Sequence, residues 1–232
     1  KALVITGTAL SLNNNGNNQT VSANQPTVNG NGGNDTLNAG ALTVAVNLDG
    51  GIGNDTLTGG SGNDNLRGDA GTDTINGGAG NDTIDGGAGN DNINGGAGND
   101  TVNGGVGNDI INGGLGADVL VGGAGTDSFV FNTTLNSLTN VDTISDFNVV
   151  DDTMRLENTG FFTVLTATGT LNAANFRANI DGTALDANDF VVYDTDSGAV
   201  WYDADGNGAG AAVQFAQLTP AVVLTNLDFL VI

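Results

Sequence analysis

The chain has 232 residues, 39 of them Gly, and its 26 acidic against 4 basic residues give a net charge of −22. This charge disfavours nucleic acid and anionic membranes as partners, because phosphate groups gain nothing from meeting more negative charge. Cys and His are absent, which excludes disulfides, thiol chemistry, His general-base catalysis and the usual zinc and haem ligands. The remaining ligand atoms are oxygens, which suit a hard cation such as calcium. No apolar run is long enough to predict a membrane span.

The first 29 residues are Asn-rich and irregular. Residues 21–29 align with the repeat described below, with Val28 facing inward and Pro26 in the place of an acidic residue. We therefore expect residues 1–29 to form degenerate N-terminal coils without metal.

Residues 30–49 contain two imperfect copies of the same repeat. In residues 30–38, Asp35 and Leu37 stand where the repeat has its acidic and its inward-facing residue. In residues 41–49, Val46 replaces the acidic residue and Leu48 faces inward, after an insertion of two residues. If this copy forms a full rung, Asp35 stacks on Asp55.

Between residues 50 and 130 a nine-residue unit, here called a rung, repeats without a gap. Position 4 is always Gly, and positions 1 and 2 are Gly except at Asp69. Position 8 is always apolar: Leu57, Leu66, Ile75, Ile84, Ile93, Val102, Ile111, Leu120 and Phe129. Position 6 is always acidic: Asp55, Asp64, Asp73, Asp82, Asp91, Asp100, Asp109, Asp118 and Asp127.

This spacing predicts stacked Gly-rich loops joined by short strands. Gly allows tight turns and close backbone approach, and a strand over positions 7–9 points position 8 inward. Two rungs make one coil, so each loop lies over the loop two rungs away. A column of unneutralised carboxylates roughly 5 Å apart would cost about 1 kcal/mol per neighbour even in water. Four basic residues cannot neutralise these columns, so turn capping alone does not explain them.

A cation between two stacked loops would take one carboxylate from each and backbone carbonyls, giving the six to eight oxygens that calcium prefers. One edge offers four such Asp pairs from Asp55 to Asp127, the other offers three from Asp64 to Asp118, and Asp35 adds one. We expect about seven or eight calcium ions in the roll. Candidate carbonyl ligands are those of Gly77, Ala79, Gly86, Ala88, Gly95 and Ala97.

The pattern G-G-x-G-x-D-x-U-x, in which U is apolar, resembles the calcium-binding repeat of the RTX (repeats-in-toxin) family. The resemblance implies an all-β fold, a right-handed parallel β-roll solenoid. It also implies type I secretion machinery as a partner and an extracellular location, secreted or at the surface of a Gram-negative-type bacterium. We expect the calcium-binding roll to span residues 30–130.

Residues 131–232 contain less Gly and more Phe, Leu and Val, and are expected to form a C-terminal β cap, which a solenoid end requires. Residues 140–147 and 151–156 resemble the segment that closes the β-roll in serralysin-like and haemolysin-type secreted proteins. Residues 190–193 and 199–202, separated by a turn, predict a β-hairpin. The end, residues 228–232, is similar to the export signal of type I secretion substrates and also fits a last strand.

Residues 203–208 match the opening of an EF-hand loop, with Asp203, Asp205 and Asn207 as candidate ligands. Position 12 is Gln214 rather than Glu, and no helix is predicted beside the loop. A polar hairpin turn is therefore the first interpretation and an additional calcium site the second.

No Ser lies in a G-x-S-x-G motif, and no His or Cys could activate one, so we expect no enzymatic activity. Two functions remain open: a structural surface-layer, matrix or filament subunit that folds on calcium binding, or a calcium-triggered folding and secretion module of a larger exoenzyme or toxin. The first includes head-to-tail self-association between an edge in residues 1–12, with β-prone residues 3–6, and the apolar tail 227–232.

Overall fold

The computed structural model describes residues 9–11, 15–20, 27–136, 138–158, 162, 164–165, 167–206, 208, 210–218 and 222–232. Two short 3-10 helices, Ala173–Asn175 and Asn226–Asp228, occur among these residues, and the regular structure is otherwise β. The strands are, in chain order, β1 (Ala9–Ser11), β2 (Asn18–Thr20), β3 (Thr27–Asn29), β4 (Thr36–Asn38), β5 (Asn47–Ile52), β6 (Thr56–Thr58), β7 (Asn65–Ala70), β8 (Thr74–Ala79), β9 (Thr83–Ala88), β10 (Asn92–Ala97), β11 (Thr101–Val106), β12 (Ile110–Leu115), β13 (Val119–Ala124), β14 (Ser128–Phe131), β15 (Asp142–Ile144), β16 (Thr153–Leu156), β17 (Gly169–Thr170), β18 (Phe176–Asn179), β19 (Val191–Asp194), β20 (Ala199–Tyr202), β21 (Val213–Leu218) and β22 (Phe229–Val231).

The strands form two sheets, and within the roll each strand pairs in parallel with the strand two places along the chain. The twelve-stranded sheet has the order β1-β3-β5-β7-β9-β11-β13-β15-β21-β20-β19-β18. The ten-stranded sheet has the order β17-β22-β16-β14-β12-β10-β8-β6-β4-β2. This alternation confirms the all-β parallel solenoid in which two rungs make one coil.

Most strands of the regular rungs are longer than expected. They have six residues rather than three, because they continue through positions 1–3 of the next rung, as in Thr74–Ala79 and Thr83–Ala88. Gly disfavours strands intrinsically, but the ladder on both sides provides hydrogen-bond partners, as in the pairing of Gly96 with Gly78 and Gly114. The loop therefore narrows to positions 4–6.

The core is a column of position-8 side chains from each sheet, as predicted, and each is at most 2 % exposed. The twelve-stranded sheet contributes Val28, Leu48, Leu66, Ile84, Val102, Leu120, Ile144 and Leu218. The ten-stranded sheet contributes Leu37, Leu57, Ile75, Ile93, Ile111, Phe129, Met154 and Phe229.

Both sheets continue past the repeats into the C-terminal region. Strand β15 carries the twelve-stranded sheet to β21, and β16 carries the ten-stranded sheet to β22. The expected hairpin is confirmed as the antiparallel pair β19 and β20. Strand β22 lies between β16 and β17, so the tail forms an internal strand and cannot present the free edge expected for self-association. Residues 1–8 and 12, which include the other expected edge, lie outside the described residues.

Within the described part of the chain, no helix is long and apolar enough to cross a membrane.

Candidate metal centre

The repeated Asp side chains form a continuous ladder along one edge of the roll. One carboxylate oxygen, Oδ1, of each Asp accepts a hydrogen bond from the backbone N–H of the Asp two rungs earlier. The donor–acceptor pairs are Asp35–Asp55, Asp55–Asp73, Asp73–Asp91, Asp91–Asp109 and Asp109–Asp127, at 2.6–2.9 Å. Asp35 therefore stacks on Asp55, which confirms that residues 39–49 complete a rung.

The second edge carries an equivalent ladder. The backbone N–H groups of Asp64, Asp82 and Asp100 each donate at 2.8 Å to the Asp two rungs later. Val46, at the start of this ladder, donates to Asp64 Oδ1 at 2.9 Å. Val46 thus occupies the acidic position of its rung, as the sequence predicts, without a carboxylate.

The second carboxylate oxygen of most of these Asp residues is buried without a partner. Among the described residues, the unpaired Oδ2 atoms belong to Asp35, Asp55, Asp73, Asp82, Asp91, Asp100, Asp109, Asp118 and Asp127. In Asp64 this oxygen accepts a hydrogen bond from the Gly60 backbone N–H at 2.6 Å. The whole side chains are at most 2 % exposed. A buried anionic oxygen without a partner costs several kcal/mol, so these positions require a cation or a proton.

Position 1 must be Gly because the two oxygen types meet in front of it. A Cβ atom on Gly59 would lie 2.5 Å from Asp64 Oδ2 and 2.1 Å from the Gly77 carbonyl oxygen. On Gly68 it would lie 2.4 Å from Asp73 Oδ2 and 2.5 Å from the Gly86 carbonyl. Each space is thus bordered by a carboxylate and by a backbone carbonyl two rungs on.

The six predicted carbonyl ligands divide into two groups. Those of Gly77, Gly86 and Gly95 face Asp64, Asp73 and Asp82 Oδ2 in this arrangement. The position-3 carbonyls of Ala88 and Ala97 already accept hydrogen bonds from the position-4 N–H groups of Gly71 and Gly80, both at 2.8 Å. Ala79 occupies the equivalent place at the end of β8. The position-1 carbonyls are therefore the better candidates.

The surroundings of these carboxyl groups favour the protonated form when no cation is present. Burial raises the pKa of Asp73, Asp82, Asp91 and Asp109 from 3.8 to about 6, against the opposing effect of the backbone hydrogen bonds they accept. Burial, followed by repulsion from Asp118 and Asp82, raises the pKa of Asp100 to about 7. A cation would remove both causes.

The donor set fits calcium. In the described residues no three acidic side chains converge on one point, which argues against a carboxylate-only cage. Each space instead combines a carboxylate with a neutral carbonyl, and calcium accepts such mixed oxygen ligands. The exposed Asn residues at position 5 lie outside these spaces and stack on one another, as where Asn108 N–H donates to Asn90 Oδ1 at 2.8 Å.

Two ladder residues, Asp142 and Asp152, were missed by the sequence analysis. The Asp118 N–H donates to Asp142 Oδ1 at 3.2 Å, and the Asp127 N–H donates to Asp152 Oδ1 at 3.0 Å. Burial, followed by repulsion from Asp118, raises the pKa of Asp142 to about 8. The signal was the triplet Asp-Thr-apolar at residues 142–144 and 152–154, which repeats positions 6–8 without the Gly loop.

The EF-hand-like residues lie in the hairpin loop between β20 and β21. Asp203 Oδ1 accepts from the Asp205 N–H at 3.2 Å, and Asp205 Oδ2 accepts from the Gly210 N–H at 2.8 Å. Gln214 lies in β21 and its amide donates to the Ala216 carbonyl and to Gln217. Asn207 lies outside the described residues. An ion here remains a prediction.

Comparison with known proteins identifies the repeats. The family described as the RTX calcium-binding nonapeptide repeat (4 copies) matches residues 27–41, 49–84, 67–102, 76–111 and 94–129. No curated protein matches the whole sequence significantly.

Two solved structures are similar at low identity. The extracellular lipase LipA from Serratia marcescens is 16% identical, with a TM-score of 0.33, over 85% of this chain and 40% of the lipase chain. The AlgE6R3 subunit of the Azotobacter vinelandii mannuronan C5-epimerase is 23% identical, with a TM-score of 0.28, over 75% of this chain and 77% of that chain. The chain thus spans well under half the length of the lipase, and at these TM-scores neither likeness bears on what it does. The family match and the ladder geometry together identify residues 27–129 as RTX calcium-binding repeats in a parallel β-solenoid.

Proposed function

We propose that this chain is an extracellular calcium-binding protein whose roll folds when calcium fills the spaces between stacked loops. The observation that carries the proposal is the set of nine buried Oδ2 atoms without a hydrogen-bond partner. The ligands would be the repeat carboxylates from Asp35 to Asp127, with position-1 carbonyls such as those of Gly77, Gly86 and Gly95. Calcium supplies the positive charge that these oxygens lack, and about seven or eight ions fit the Asp pairs of the two ladders.

The calcium requirement fits export before folding. Extracellular modules bind calcium with dissociation constants of about 10⁻⁴–10⁻³ M, so the sites would stay empty at cytosolic calcium and fill outside. Type I secretion machinery, typical of RTX proteins of Gram-negative-type bacteria, is the proposed partner. In the folded chain Phe229 and Val231 of the tail are at most 2 % exposed, so the machinery would read this segment before folding.

The proposed finer role is a structural surface-layer, matrix or filament subunit. Strands β1 and β2 are the outermost strands at one end of the described sheets, and β18 and β17 are outermost at the other. An outer strand presents backbone groups that can pair with another chain. Contact between the two ends would be heterologous, which builds filaments or rings. This assignment replaces the tail with β17 and β18 as the C-terminal contact.

Circular dichroism of the purified chain in millimolar calcium, in magnesium and in EDTA tests calcium-dependent folding. We expect a β spectrum in calcium alone, because magnesium dehydrates reluctantly and demands octahedral geometry. A full β spectrum in EDTA would refute the proposal. Sedimentation in calcium tests the structural role, with a chain lacking residues 1–12, and hence β1, as the comparison. Polymers that disappear in the shortened chain support the role. A monomer at high concentration contradicts it and favours the module of a larger exoenzyme or toxin.

A further inference from the structure

The outer surface of the ten-stranded sheet carries two regular columns of uncharged polar side chains. On β2, β4, β6, β8 and β10 every position-7 and position-9 residue is Thr or Asn, and the strands pair without a register shift. Seven of these ten side chains are exposed and three partly exposed. We call them the neutral face: Asn18, Thr36, Thr56, Thr74 and Asn92 in one column, and Thr20, Asn38, Thr58, Asn76 and Asn94 in the other.

The equivalent surface of the twelve-stranded sheet differs in charge. Its position-9 column contains Asp49, Arg67 and Asp85, and Arg67 Nε lies 2.6 Å from Asp69 Oδ1. Loop position 3 also lacks a polar array, since Ile52, Val106 and Leu115 are exposed there. On a chain with a net charge of −22, the neutral face is therefore a distinct surface.

The neutral face is rigidly spaced in two directions. Neighbouring strands place equivalent side chains about 4.8 Å apart, and residues i and i+2 of one strand are about 6.6–6.8 Å apart. Asn38 Oδ1 accepts a hydrogen bond from the Gly40 N–H at 2.9 Å, which fixes one amide. Hydroxyl and amide groups both donate and accept hydrogen bonds, so water molecules held at one rung would be held in the same way at the next.

We propose that the neutral face binds ice. A planar, periodic layer of bound water continues into a crystal of water, whereas a charged side chain holds water in an arrangement of its own. The face has none of the aromatic or other apolar anchors that protein interfaces use, and none of the positive charge that an acidic polymer would require. The proposal rests on the folded roll but uses none of the proposed calcium ligands.

The test compares two substitutions at the same repeat position on opposite sheets. Thr74→Lys places a charge in the centre of the neutral face. Thr83→Lys places the same charge on the twelve-stranded sheet, where Thr83 is equally exposed and pairs with Asn65 and Thr101. Circular dichroism with a calcium titration shows whether each variant folds as the unsubstituted chain does, which separates failure of the calcium proposal from failure of this one.

Ice affinity is measured by partition of the calcium-loaded chain into slowly growing ice and by the shape of crystals grown in its presence. We expect enrichment in the ice and faceted crystals for the unsubstituted chain and for Thr83→Lys, and loss of both for Thr74→Lys. Exclusion of the unsubstituted chain from ice would overturn the proposal, as would equal loss in both variants. Adsorption to an insoluble neutral polysaccharide in place of ice would also overturn it.

Discussion

The roll, residues 27–131, buries one apolar side chain and one position-6 side chain in each rung, whereas residues 132–232 bury clusters of aromatic side chains. In the second region Phe162 packs edge-on against Tyr202 and Phe215, with ring centroids 4.8 and 5.3 Å apart. Phe131, at the end of the roll, joins this cluster 5.0 Å from Phe215. The buried Asp228 has partners within its own segment, since its carboxylate accepts from Thr225.

The comparison shows why the roll would need an ion and the C-terminal region would not. Burying one Leu or Ile gives about 1.5–3 kcal/mol, which is small against about 1–2 kcal/mol for each backbone residue that a nine-residue rung must order. The unpaired Oδ2 atoms oppose folding further. In the C-terminal region larger side chains are buried and the antiparallel strands β19–β21 are local in sequence.

Removing calcium should therefore have the largest effect, and it should be unequal along the chain. In EDTA we expect backbone amides of residues 49–129 to exchange rapidly with solvent, while strands β19–β21 keep measurable protection. Hydrogen–deuterium exchange with mass spectrometry measures both regions in one sample. Equal protection of the roll with and without calcium would contradict the comparison.

Acid should partly replace calcium in the roll. The pKa of Asp91 is about 6 in the folded chain against an ordinary 3.8, and that of Asp100 is about 7. Groups with a raised folded pKa destabilise the folded state as the pH rises through that range, and this penalty disappears as they are protonated. In EDTA we expect β structure to increase between about pH 7 and about pH 5. A spectrum that stays unfolded throughout would show that the carboxylates do not control folding.

Substitution of single ladder residues should sharpen the comparison within the roll. Asp91 stacks between Asp73 and Asp109, whereas Asp35 has a ladder Asp on one side only. Asp91→Ala should raise the calcium midpoint about tenfold or more, in the range seen when metal sites are perturbed, and Asp35→Ala should raise it less. Asp85→Ala, on the outer surface, is the control for lost charge. Equal midpoints for Asp91→Ala and Asp35→Ala would argue against shared sites.

Filling one space without removing a ligand should have the smallest effect. A Cβ atom on Gly77 would lie 2.4 Å from both Asp82 Oδ2 and the Gly95 carbonyl. Gly77→Ala should cost about 1–3 kcal/mol of stability, as overpacking does, measured by thermal unfolding in calcium. In Gly40→Ala the nearest atom, Asn38 Oδ1, is 3.2 Å away, so this variant should unfold near the unsubstituted chain. Similar losses in the two variants would separate the effect from the metal space.

The parts of the fold that follow the nine-residue period could be predicted from the sequence. The period places Leu57 on Leu37 and Asp55 on Asp35, because side-chain direction and strand spacing are fixed by geometry. Asp142 and Asp152 were missed because the ladder reaches them over 24 and 25 residues rather than 18. The extension of the strands through Gly was missed because pairing on both sides overrides intrinsic propensity. Pairing of the tail with β16 is non-local and leaves no local pattern.

The central claim is that calcium lies between the stacked carboxylates, and counting the bound ions tests it most directly. Native mass spectrometry of the chain in calcium should show about seven or eight ions, with two fewer in Asp91→Ala and an unchanged number in Asp85→Ala. Occupied sites beside Asp142 and Asp152 would raise the total in all three chains equally. A folded chain that binds no calcium, or one in which Asp91→Ala keeps every ion, would contradict the account.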